Sequence, residues 1–112
     1  MIIYFNPDCS KCNQALDLLK QNNCEFTIRN YITHPPSVEE LKGLLDKLKC
    51  KAIDIVRKKE ALYEEKYASK HLNDEEWLQI LSEHPILIER PIVINNNKAI
   101  IGRPPQLVLN IL

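Results

Sequence analysis

The chain opens on a change of period. Ile2-Ile3-Tyr4-Phe5 is a short continuous apolar run, the pattern of a buried strand, and Asn6-Pro7 after it is turn chemistry. From about Ser10 the apolar residues take helical spacing, at Ala15, Leu16, Leu18 and Leu19. Cys9 therefore stands where a strand has ended and a helix is about to begin. Orphan backbone N–H groups and the positive end of the helix dipole point at that place. A thiol there is a candidate nucleophile, because the thiolate is the reactive form and this position stabilises it. An unperturbed cysteine with pKa near 8.5 is only about 3% thiolate at pH 7, and lowering the pKa by about two units makes it roughly three-quarters thiolate. Cys12 completes a C-x-x-C spacing, which after a strand and at the opening of a helix is a redox arrangement. The competing interpretation is that both are ordinary buried cysteines.

At 112 residues the chain has the size of one domain with a modest core. Its formal net charge is zero, which argues against a nucleic-acid or membrane surface. No apolar run approaches the ~20 residues of a membrane span, and Met1 leading straight into the first strand predicts no signal peptide. Four cysteines without an export signal predict a reducing compartment, with the cytoplasm as the default. Eleven lysines accompany only four arginines, Arg29, Arg57, Arg90 and Arg103. Each arginine is then worth a question, because its planar fork binds oxyanions bidentately and lysine cannot. Arg29 is expected to be a plain surface charge.

Along the chain, a helix over about residues 10–22 precedes a second strand from Glu25 to Tyr31. Ser37-Val38-Glu39-Glu40 fits a capping box, and Leu41, Leu44, Leu45 and Leu48 give an amphipathic stripe. One or two short helices are expected between Ala52 and Tyr67. Another opens at Asn73-Asp74-Glu75-Glu76, with Trp77, Leu78, Ile80 and Leu81 on its apolar side; His84-Pro85 interrupts it and Ile86-Leu87-Ile88 adds an apolar turn. Pro91–Ile94, Asn95-Asn96-Asn97 and Lys98–Ile101 read as a β-hairpin. Gly102-Arg103-Pro104-Pro105 starts a last helix, with Leu107, Val108, Ile111 and Leu112 facing inward. The order is β-α-β, then three or four helices, then β-β-α, without linker or repeat.

That order, with a reactive cysteine after the first strand, resembles the plan of a thioredoxin-like α/β fold, which implies a four-stranded mixed sheet. The residues say more. Asn6-Pro7-x-Cys9, Tyr31, Pro35-Pro36-Ser37, Val56-Arg57-Lys58, Tyr63, His84-Pro85-Ile86-Leu87-Ile88, Arg90-Pro91-Ile92-Val93 and Gly102-Arg103-Pro104 resemble the bacterial arsenate reductase (ArsC) family, and the ending resembles its YfgD-type branch. The resemblance runs from end to end and implies a single domain over 1–112 with a helical insertion at about 37–88. It also implies that Cys9 attacks arsenate, that Arg57, Arg90 and Arg103 form the oxyanion site, and that the Arg90–Pro91 bond is cis. Glutathione as co-substrate and glutaredoxin (or thioredoxin) as partner follow from the same resemblance, with no bound cofactor and a monomeric protein.

Two positions depart from the family pattern. Phe5 stands where well-studied members have His, so the lowering of the Cys9 pKa must come from the helix and the arginines. Cys12 stands where they have a hydroxyl residue, which offers an internal resolving thiol. The alternative function is therefore a Cys9/Cys12 thiol–disulfide oxidoreductase or a redox-sensing regulator resembling Spx, which has C-x-x-C here. Zinc is disfavoured and no metal site is expected, since Cys24, Cys50, His34, His71 and His84 make no second pair at ligand spacing. Cys24 and Cys50 are expected to be structural, and His84 to sit at a helix end.

Overall fold

The structure, a computed structural model, describes residues 1–112. The elements are β1 (Ile2–Phe5), α1 (Ser10–Gln21), β2 (Thr27–Asn30), α2 (Val38–Leu48), α3 (Ala61–Lys66), α4 (Asp74–Glu83), β3 (Ile92–Asn95) and β4 (Lys98–Ile101). Three 3₁₀ segments join them, Ala52–Ile55, Pro85–Leu87 and Pro105–Ile111. The four strands form one mixed sheet in the order β2-β1-β3-β4, with β1 parallel to β2 and the other neighbours antiparallel. This is the α/β, thioredoxin-like arrangement implied by the order of elements. No helix is long and apolar enough to cross a membrane.

The chain divides into two compact units, Met1–His34 with Arg90–Leu112, and Pro35–Glu89. The first holds the sheet. One face of β1 supplies Ile3 to a core with Ala15, Leu16, Leu19, Val93, Val108 and Ile111. Its other face supplies Tyr4, whose ring stacks on Tyr31 with centroids 6.1 Å apart. Both faces of β1 are thus buried, which is why its residues form a continuous apolar run without alternation. On α1 the buried residues are Cys12, Ala15, Leu16 and Leu19, an i, i+3, i+4, i+7 stripe. The helical period therefore places Cys12 on the core face.

The hairpin turns through Asn96, which takes a left-handed φ of 55°. The closing segment Pro105–Ile111 is a 3₁₀ helix where an ordinary helix was expected. Pro104 and Pro105 can only start a helix, and the i→i+3 bond from Leu107 N to the Pro104 carbonyl (3.0 Å) sets the tighter winding. The Asn95 amide donates to the Ile111 carbonyl at 2.7 Å and ties down its end.

In the second unit both predicted caps form. Ser37 Oγ accepts from Glu40 N at 3.1 Å and Asn73 Oδ1 from Glu76 N at 2.8 Å, with Glu40 and Glu76 reaching back to the cap residues. Trp77 is buried against the rings of Tyr63 and Tyr67, at 6.2 and 5.6 Å. His84 caps the end of α4. Val56 and Ile88 form an isolated antiparallel bridge, flanked by bonds from Arg57 N to the Leu87 carbonyl and from Glu89 N to the Ile55 carbonyl.

Gly102 follows β4 where there is no room for a side chain. A Cβ there would meet Val108 Cγ1 at 2.9 Å and the Pro91 ring at 3.0 Å. Gly102→Ala is expected to lower stability by about 1–3 kcal/mol through overpacking. An unchanged denaturant midpoint would show that this contact yields freely.

Candidate active site

The site grows from the turn after β1. Asn6 Oδ1 accepts from Asp8 N at 3.0 Å, and the Asn6 carbonyl accepts from Cys9 N at 3.0 Å. This turn delivers Cys9 to the N-cap of α1 with extended backbone angles (φ −102°, ψ 117°). Asn13 locks the junction: its amide donates to the Cys9 carbonyl at 3.1 Å and to the Pro7 carbonyl at 3.3 Å. A cap side chain in this geometry faces the free N–H groups of the first turn, and here the cap side chain is a thiol.

Cys9 is 7% exposed and Cys12 fully buried, and both are free thiols. Burial works against ionisation of Cys9. The Cys12 amide, the Arg90 side chain, the Cys12 thiol and the Lys11 amide favour the charged sulfur and together outweigh that, so the pKa lies below the ordinary thiol value. Cys12 goes the other way. Burial, together with the neighbouring Cys9, pushes its pKa up to about 12 against the pull of the Asn6 amide and of Arg90. The pair is therefore asymmetric, with ionisation favoured at Cys9 and opposed at Cys12.

Two of the arginines singled out above meet this pair. Arg90 is buried, and Arg103 is half-buried with Nη2 3.8 Å from Cys9 Sγ. Arg103 Nε donates to the Arg90 carbonyl at 2.5 Å, which fixes the fork and couples the two residues. The Arg90–Pro91 bond is cis, as is Arg103–Pro104. Gly102 N donates to the Pro91 carbonyl at 2.8 Å and holds the two arginine segments side by side.

Arg57 belongs to the helical unit. Its Nε lies 3.0 Å from Glu60 Oε1 and its Nη1 3.9 Å from Glu89 Oε1. Arg29 is not the plain surface charge expected of it. Its guanidinium covers the Tyr4 ring at 5.7 Å, and its Nε donates to the His34 carbonyl at 3.1 Å, because the end of β2 needs a long planar donor there. Phe5 is half-buried against the core at the end of β1. Cys50 has its pKa raised by burial and by Asp54 and Asp74. No group of three or more His, Cys, Asp or Glu side chains is gathered as a metal would need.

Sequence reasoning missed Tyr31 as a site residue. Its phenol is fully buried, and burial pushes its pKa up to about 12 while Arg90 pulls it down and Cys12 and Cys9 push it further up. Tyr31 is thus a permanently protonated neighbour of the arginine–thiol group. Its sequence signal, an aromatic residue ending a strand, cannot be distinguished from a core residue.

A nearly buried thiol at a helix N-cap, beside a cis-proline segment and two arginines on a four-stranded mixed sheet, is the arrangement of a thioredoxin-like protein. Residues 4–111 match the ArsC family. The chain belongs to that family. It is 44% identical to an arsenate reductase of Haemophilus influenzae, covering all of this chain and 98% of that protein. It is 43% identical to the protein YfgD of Escherichia coli K12, covering 97% of this chain and 93% of the other. The solved structure of an arsenate reductase from Vibrio cholerae superposes with a TM-score of 0.94 at 42% identity, over 99% of this chain and 96% of that one.

Alkylation followed against pH should show Cys9 reacting at lower pH than an ordinary thiol and Cys50 at higher pH. A Cys9 that behaves as an ordinary thiol would remove the charge asymmetry of the pair.

Proposed function

We propose that the protein is an arsenate reductase in which Cys9 is the nucleophile and Arg57, Arg90 and Arg103 hold the oxyanion, residues 1–112 acting as one reductase domain. The observation that carries this is the Arg103 guanidinium 3.8 Å from a thiol whose ionisation Arg90 favours. Arsenate at neutral pH is a tetrahedral, largely dianionic species. Bringing it to a thiolate requires offsetting like-charge repulsion, which guanidinium forks and the free N–H groups of a helix start can do. The ArsC family membership and the arsenate reductases among its relatives support the same substrate.

Cys9 Sγ attacks arsenic, and a hydroxyl leaves as water after taking a proton. Arg103, fixed by the Arg90 carbonyl, faces the arsenic-bound oxygens from the start and needs no reorganisation. Glu60 and Glu89 set the direction of the Arg57 fork and would exchange part of their hold on it for the incoming anion. A thiol reductant, glutathione with glutaredoxin, completes the cycle by returning Cys9 to the free thiol. A reducing compartment, the cytoplasm, suits a site whose nucleophile must remain a thiol.

Two measurements test this. Arg57→Lys and Arg103→Lys should each weaken arsenate or sulfate binding about tenfold or more, since a lysine keeps the charge and loses the fork, while the melting temperature stays close to that of the unaltered protein. Unchanged affinity in both variants would remove the arginine site. Turnover of arsenate with glutathione and glutaredoxin should disappear in Cys9→Ser. A wild-type protein without turnover under these conditions would favour a thiol–disulfide or regulatory role.

A further inference from the structure

We infer that Cys12 is the resolving thiol of this enzyme: it attacks the sulfur of the Cys9–arsenic adduct and closes an internal disulfide, so that the external reductant acts on Cys9–Cys12 and not on the adduct. This rests on the arsenate reductase assignment above.

Three observations carry it. First, Cys9 is the N-cap of α1 and Cys12 its third residue, three positions apart, so the two side chains are neighbours on the first turn. Here both side chains are free thiols, and each influences the ionisation of the other. Second, the two sulfurs lie at different depths. Cys12 is fully buried on the apolar stripe of α1, whereas Cys9 keeps 7% exposure and is approached by Arg103. Displacement at sulfur runs in line, with the attacking sulfur opposite the leaving group. Arsenic held among the arginines would leave from the outer side of Cys9, and Cys12 sits on the inner side. Third, burial denies Cys12 to glutathione from solvent, so the neighbouring sulfur is the group it can reach.

The electrostatics impose an order on the steps. Burial holds the proton on Cys12, and a negative Cys9 beside it adds to that hold. Once Cys9 is esterified by arsenic, its opposition is gone, and against the burial that remains the Asn6 amide and Arg90 continue to favour a Cys12 thiolate. Adduct formation therefore eases ionisation of the second nucleophile. In the step itself a Cys12–Cys9 S–S bond forms and the Cys9 S–As bond breaks. The electron pair of that bond goes to arsenic, reducing As(V) to As(III), while two thiol sulfurs become a disulfide. The Cys12 proton passes to an arsenic-bound oxygen and arsenite departs. A thiol reductant then restores both cysteines by exchange.

The test uses the fully reduced protein and arsenate with no added thiol. The expected result is about one arsenite per chain, with loss of about 2 Da and a disulfide mapped by peptide mass spectrometry to Cys9 and Cys12. Cys12→Ser and Cys12→Ala, each checked by thermal unfolding, should release arsenite only at background level under these conditions. Arsenite that appears in the wild type only after glutathione is added, with Cys12 still open to alkylation after denaturation, would overturn the proposal. If no arsenite forms even with glutathione and glutaredoxin, the arsenate assignment fails separately. Oxidation by diamide then decides the thiol pair: a Cys9–Cys12 disulfide upholds the resolving role, and a Cys12 left reduced while Cys9 is oxidised ends it.

Discussion

Favouring the charged form of Cys9 at the start of α1 is the constraint around which the other parts of the site are arranged. A nearly buried thiol resists ionisation, and here that resistance is the largest single influence on it. Amides of the first helical turn, the Arg90 side chain and the Cys12 thiol together outweigh it. Each depends on a different part of the chain. The amides need the Asn6-Pro7-Asp8 turn and Asn13 to set the helix start. Arg90 needs the segment entering β3, and Arg103 needs the segment leaving β4, which Gly102 allows to pass close to Pro91. A small sheet with short strands suffices because its role is to bring three chain segments to one sulfur.

The same arrangement divides the work between two chemically identical side chains. Cys9 and Cys12 lie one helical turn apart, yet one is driven toward the thiolate and the other held protonated. The difference arises from depth and from order: Cys12 is on the core face of α1, and once Cys9 carries the charge, a second negative sulfur beside it is opposed. Tyr31 belongs to the same balance, as a buried phenol kept neutral beside Arg90.

Much of the fold was legible because local signals agreed with the tertiary answer. The switch from an apolar run to helical spacing at Ser10, the capping residues Ser37 and Asn73, and the Asn-rich hairpin turn each correspond to an element in the structure. The second strand is shorter than its apolar pattern suggested, Thr27–Asn30 within an expected 25–31, because edge pairing extends only as far as β1 offers partners. The final segment was legible as a helix but not as a 3₁₀ helix, since backbone winding at a double proline depends on what ties the far end. Arg29 looked like a spare charge and holds Tyr4 and His34, a pairing that needs two strand ends to be neighbours.

The sequence by itself determined that a thiol would stand at a helix start, because period and turn chemistry are local properties. It also marked the arginines, through their rarity among lysines. Only the tertiary structure decided that Arg90 and Arg103 reach the same sulfur, that Arg103 is aimed by the Arg90 carbonyl, and that Cys12 is a buried partner and not a second exposed thiol. These are contacts between residues as far apart as Cys9 and Arg103, and a contact over that separation exists only once the sheet has formed.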